Sequence, residues 1–165
     1  MNFKGYFNYD VRSLTENDLE DIYNLCKDNK EYYEYIRIKP TLENVKEILY
    51  ELPPSSSKKN KNCIGVYSFN KLIAILDFIE SYPDYNSCFI GLLIIDKKYQ
   101  GKGIGKEIIE RVIKISKDNG YKKIGLGVIE DNISAKIFWE NRGFIPTGVV
   151  YNHEKYNVIM MEKVL

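Results

Sequence analysis

Histidine is nearly missing from this sequence: there is one, His153, in 165 residues. A Cys/His nucleophile pair or a histidine-rich metal site has little to draw on, and His153 itself sits in the polar stretch 152–155 and reads as a solvated turn residue. The three cysteines, Cys26, Cys63 and Cys88, are odd in number and far apart, without the close pairs of disulfide scaffolds or zinc sites. They read as reduced, partly buried thiols, and no metal is expected. An excess of one charge is missing too. Lys+Arg 24 against Asp+Glu 23 gives a formal net charge of +1, which offers no basic stripe for a nucleic acid and no steering toward strongly cationic acceptors. No apolar run approaches the length of a membrane span, and residues 1–11 lack the apolar core of a signal peptide, so the expected partners include no membrane and the expected location is cytoplasmic.

What is present fits an ordinary globular chain. The hydrophobic fraction is 44%, the charged fraction 28%, and 14 tyrosines are the main departure from average usage. The length suits a single domain over 1–165. The one low-complexity stretch, 53–61, has the prolines and small polar residues of a surface loop, and its lysines, Lys58 to Lys61, read as solvated. It separates a helical N-terminal third from a strand-rich remainder.

Residues 6–12 read as a first strand. Thr15, with Asp18 at the capping-box position, opens a helix whose Leu19, Ile22, Leu25 and Cys26 share one face. A short Tyr-rich helix over 31–36 follows, and Thr41 caps another carrying Val45, Ile48, Leu49 and Leu52. The period then shortens. Residues 63–69 and 72–82 read as strands joined by a tight turn at Asn70-Lys71, and 89–95 as a central strand buried on both faces. A helix over 103–117, a strand over 123–129, a short helix from Asn132 to about Gly143, and strands over 145–151 and 156–164 complete the chain.

Between the apolar strand and the long helix lies Gln100-Gly101-Lys102-Gly103-Ile104-Gly105. Backbone N–H groups at a helix start lack intrahelical partners, the helix dipole favours an anion there, and glycines allow the unusual dihedrals and close approach that a diphosphate needs. Lys102 and Lys106 can add charge at the rim. A Walker loop fails at both ends, because Gly105-Lys106 is preceded by Gln100 where that motif has glycine and is followed by Glu107. A dinucleotide fingerprint fails because Gly101, Gly103 and Gly105 alternate.

These residues resemble the GNAT superfamily of N-acetyltransferases, whose acetyl-CoA signature is Gln or Arg, two residues, Gly, one residue, then Gly or Ala; Gln100, Gly103 and Gly105 match it. A second block, from Asn132 through Ala135 and Phe138 to Gly143-Phe144, is similar to that family's Asn-x-x-Ala-x-x-Phe/Leu-Tyr-x-x-x-Gly-Phe segment. The resemblance implies an α/β (α+β) GNAT fold: a single-layer, twisted, mixed but mostly antiparallel sheet of six to seven strands, flanked by helices and splayed between strands 4 and 5. It implies acetyl-CoA (coenzyme A) as acyl donor. The backbone of Leu93, Ile94 and Ile95 would meet the pantetheine arm, with the N–H of Ile94 or Ile95 polarising the thioester, and Gln100, Gly101, Lys102, Gly103, Ile104, Gly105, Lys106, Asn132, Ala135 and Phe138 would complete the coenzyme site. Lys97 stands where many members have proline.

The implied reaction is direct attack of a primary amine, from a small molecule or a peptide, with a homodimer as a further expected partner. Trp139 stands where many members place a tyrosine acid, and an indole N–H does not ionise usefully. For the amine's proton the candidates are Asp77, a lone acid alternating with Ile73, Ile75 and Ile79, and Glu80 on the opposite face; Glu130 and Asp131 form a second pair. Tyr32, Tyr33 and Tyr35 are candidate walls of an acceptor site. The rival reading is a coenzyme A-binding regulatory or interaction module without catalysis, motivated by Trp139.

Overall fold

In the computed structural model, which describes Phe3 and residues 5–165, the elements follow the predicted order with shifted ends. Strand β1 (Asp10–Ser13) is shorter than expected, because the residues before it turn and bend instead of pairing. Thr15 and Asp18 form the predicted capping box, but around a single 3-10 turn that leads into helix α1 (Leu19–Asp28). Helix α2 (Lys30–Tyr35) starts one residue after α1 stops, and α3 (Leu42–Tyr50) is capped reciprocally by Thr41 and Asn44.

Strands β2 (Lys61–Ser68) and β3 (Lys71–Glu80) make the hairpin. Its turn is Phe69-Asn70, one residue earlier than predicted, with φ of 49° and 61°: a two-residue turn that matches strand twist needs left-handed backbone at both positions. Then come β4 (Ser87–Ile95), α4 (Ile104–Asp118), β5 (Lys123–Ile129), α5 (Ile133–Glu140), β6 (Ile145–Asn152) and β7 (Asn157–Val164). The strands form one seven-stranded sheet, ordered β1-β2-β3-β4-β5-β7-β6, in which β4 and β5 are parallel and every other pair antiparallel.

Period-two alternation sends the strand side chains into two cores. One, holding Phe78, Ile90, Leu126, Ile108, Val112 and Ile115, lies under α4; the other, holding Ile22, Leu25, Val45, Ile75 and Ile94, lies under α1 and α3. Each such side chain taken fully out of water contributes about 1.5–3 kcal/mol, which clamps the sheet from both faces and fixes the strands that form the cleft. Strand β4 departs from its predicted burial on both faces: beyond Ile90, Gly91 is exposed and Leu92 and Leu93 are half-buried, because the neighbouring strand leaves.

Candidate active site

Parallel pairing of β4 with β5 runs from Ser87 opposite Lys123 to Ile90 opposite Leu126 and stops. Both strands continue, β4 paired to β3 as far as Ile95 and β5 paired to β7 as far as Ile129, so a wedge opens between them. The opening begins at a β-bulge. Asp77 stands opposite Leu92 and Phe78 opposite Ile90, which leaves Gly91 as the extra residue of β4. Only glycine fits there, since a Cβ would lie 2.5 Å from Asp77 Oδ2. The Asp96 N–H donates to Ile73 O at 2.8 Å, and ladder alternation from that bond turns Ile94 toward Ile75 and the amides of Leu93 and Ile95 toward the opening. Ile94 is thereby corrected as a candidate donor: its backbone belongs to the sheet and its side chain to the core.

The wedge leads to the glycine loop. Asp96 caps the 3-10 turn Lys97–Tyr99 by accepting from the Lys98 N–H, and it is ion-paired to Lys71. Gly101 and Gly103 take left-handed φ of 72° and 84°, in open space, so glycine is required there by conformation alone. Gly105 is required by packing: a Cβ would meet Ile95 Cδ1 at 2.8 Å and the Phe138 ring at 3.1 Å. Because the Glu107 N–H is the first to bond back into the helix, the N–H groups of Ile104, Gly105 and Lys106 have no partner among the described residues. Lys102 lies over the Tyr99 ring and Lys106 keeps a loose contact with Glu110, both exposed at the rim. Asn132 spends its side-chain oxygen on the Ala135 N–H at 3.0 Å as the cap of α5, and Phe138 fills the space between α5 and Gly105. Gln100 does not face the cradle; its carboxamide turns to Asn29 and to Ile95 O.

Asp77 is not the lone acid that the strand pattern suggests. Lys61 Nζ holds its Oδ1 at 2.7 Å, with the lysine and aspartate side chains only 6% and 11% exposed, so Lys61 is no solvated member of a charge run. Burial raises the Asp77 pKa and the Lys61 ammonium opposes that rise. Glu80 lies on the other face, opposite Cys88 where the sheet is still closed; it accepts from Asn62 Nδ2 at 3.0 Å and from the Tyr121 hydroxyl at 3.2 Å. That network locks the sheet away from the wedge. Glu130 accepts from Asn157 Nδ2 and anchors the start of β7, while Asp131 is exposed.

Of the three tyrosines, Tyr33 is buried in the core and Tyr35 is half-buried. Burial pushes the Tyr32 phenol above its ordinary range. Burial also pushes Cys26 up to about 11, and Cys63 and Cys88 up to about 12, which removes any thiolate nucleophile near neutral pH. His153 is exposed and stacks on Tyr156. Trp139 is a packing residue, edge-on to Phe138 at 5.0 Å and to Phe144 at 5.2 Å. Trp139→Ala is expected to cost about 3–5 kcal/mol of stability in urea unfolding, as large-to-small changes at well-packed aromatics do. A cost below about 1 kcal/mol would contradict that packing role.

Known proteins share this fold. A family model described as "Acetyltransferase (GNAT) family" matches residues 17–144. A spermine/spermidine N(1)-acetyltransferase of Bacillus subtilis (strain 168) is 26% identical over 155 residues, covering 90% of this chain and 95% of that protein. An acetyltransferase from Thermus thermophilus superposes with a TM-score of 0.77 at 21% identity, over 97% of this chain and 99% of that one, a likeness of fold. The spermidine N-acetyltransferase from Vibrio cholerae, solved in complex with CoA and spermine, has a TM-score of 0.69 at 25% identity, over 94% of each chain.

Proposed function

The chain belongs to the GNAT acetyltransferase family, and from that premise we propose that it transfers the acetyl group of acetyl-CoA to a primary amine of a small aliphatic polyamine by direct attack. The observation that carries this reading is the parting of β4 from β5 at Ile90 and Leu126, which aims free β4 amides along a wedge ending in the glycine cradle. The cradle residues, Gly101 to Lys106, fit a diphosphate through their unpaired N–H groups, and the open edge at Leu93 and Ile95 fits an extended amide-bearing arm. Acetyl-CoA supplies the acetyl thioester. The Leu93 N–H is the donor placed to polarise the carbonyl, a contribution typically worth about 3 kcal/mol of barrier.

Asp77 serves the amine. Its carboxylate lies against the Gly91 bulge, beside the strand segment that carries the Leu93 donor, and takes a proton from the incoming ammonium. Lys61 keeps it ionised and oriented. The acceptor class draws support from the spermine and spermidine named for the relatives, and from the carboxylate of Asp77 against the Gly91 bulge. The near-zero net charge of the whole molecule is compatible with that, because recognition of a cation depends on the local field.

Purified protein screened with acetyl-CoA against spermidine, spermine, monoamines and lysine peptides, with thiol release as readout, tests the reading. Turnover is expected with the polyamines at least about tenfold above peptides, the span of a typical 1–3 kcal/mol specificity term. Peptide turnover exceeding polyamine turnover would overturn the acceptor class. Acetyl-CoA that raises Tm while no amine releases thiol would leave a coenzyme-binding module in place of an enzyme.

A further inference from the structure

We propose that Gln100 is a positioning residue that couples the coenzyme loop to the helix pair on the acceptor side, an inference resting on the reading of the β4–β5 wedge as the site of acetyl transfer. Its Nε2 donates to Asn29 Oδ1 at 2.7 Å and to Ile95 O at 3.0 Å, which uses both amide protons. Asn29 is buried, at 7% exposure, and is the single residue between α1 and α2, with φ −91° and ψ 52°. Its own Nδ2 donates to Leu25 O at 2.8 Å. One hydrogen-bonded chain thus runs from the open edge of β4, through Gln100 and Asn29, into α1, and it sets where α2 begins.

A second tie joins the same parts, Lys97 Nζ to Glu31 Oε1 at 2.9 Å, but both side chains are solvated and such pairs contribute little. The Gln100–Asn29 chain is different because one end is buried and an alternative water partner is excluded there. Next to it the loop has few restraints of its own: Gly101 and Gly103 have nothing within 4 Å of where a Cβ would stand. An anion that fixes the free N–H groups after Gly103 therefore also fixes Gln100, two peptide units upstream of Lys102. That ordering passes through Asn29 to α2, which carries the half-buried Tyr32. Ordering already accomplished by the first ligand need not be repeated for the second, so the coenzyme and the amine bind with positive coupling.

The test is hydrogen exchange on the full chain, with and without CoA, in wild type and Gln100→Ala. Gln100 is exposed and its replacement keeps the backbone N–H, so fold and cradle persist. CoA is expected to protect the amides of 101–106 in both proteins and those of α2 in wild type alone. In steady-state kinetics Gln100→Ala raises the amine KM at saturating acetyl-CoA about fivefold and, by reciprocity, the acetyl-CoA KM at saturating amine by a similar factor, the low end of typical coupling, while the Kd of CoA for the amine-free protein changes less than about twofold. Asn29→Ala gives the same amine effect, and the double variant gives no more than either single change. Protection of α2 by CoA that survives in Gln100→Ala overturns the coupling, as does an acetyl-CoA KM that rises while the amine KM stays put. A protected loop beside an indifferent α2 in wild type defeats the coupling alone; a loop that ignores CoA defeats the coenzyme-site reading with it.

Discussion

Asp77→Asn lowers kcat/KM for the amine by about 10²-fold or more, the usual contribution of a positioned proton acceptor. Asparagine keeps the shape, still accepts from Lys61 Nζ, and removes only the basicity, so the loss reports on chemistry and not on packing. Glu80→Gln, made in parallel, changes kcat/KM by less than about threefold, because Glu80 sits on the closed part of the sheet bonded to Asn62 and Tyr121. The reverse ranking of these two variants would move the proton acceptor to the other face and discard the assignment. The pH profile carries the same logic. Burial raises the Asp77 pKa while Lys61 holds it back, and only the ionised carboxylate takes the proton, so the rate falls as pH drops through that value. Lys61→Met removes the opposing cation, which shifts the acidic limb to higher pH. It also strands a buried carboxylate at a cost of about 3–5 kcal/mol near neutrality. Because the folded pKa of Asp77 then lies further above its unfolded value, that deficit shrinks as pH falls and the group protonates.

Local chemistry made most of the fold legible. Thr15 with Asp18 and Thr41 with Asn44 are caps that act over three residues, and the change from helical to strand periodicity after Pro53-Pro54 reflects which faces must be buried. The glycine loop was legible for the same reason, since left-handed glycines at 101 and 103 and a helix start are adjacent in the chain. What escaped was set by pairing across strands. Lys61 looked solvated because its neighbours Lys58 and Lys59 are exposed, yet its register opposite Ile79 turns it onto the face of Asp77. The bulge had one local sign, a glycine inside an apolar strand, which marks a bulge or a close approach; Gly91 is both. The Gln100–Asn29 bond left no sign, because the two residues meet only when the α1–α2 junction docks on the end of β4.

Gly103→Glu abolishes useful acetyl-CoA binding, raising Kd by about 10²-fold or more, and it does so by two separable effects. Gly103 holds φ of 84°, where an L side chain costs about 1–2 kcal/mol. The remainder is charge: a carboxylate placed beside the free N–H groups of Ile104 and Gly105 occupies the field meant for a diphosphate, and like charges in a partly desolvated cradle repel by several kcal/mol. Gly103→Ala isolates the strain. With nothing within 4 Å of its Cβ it meets no clash, so the protein folds and binds acetyl-CoA within about tenfold of wild type. Calorimetric titration of both variants separates the terms. Equal weakening by alanine and glutamate would assign the glycine to backbone geometry only, and unimpaired binding by Gly103→Glu would remove the cradle from the coenzyme site altogether. The charge term also predicts its own salt dependence: the gap between the two variants narrows as ionic strength rises, since screening acts on the glutamate and leaves the dihedral strain untouched.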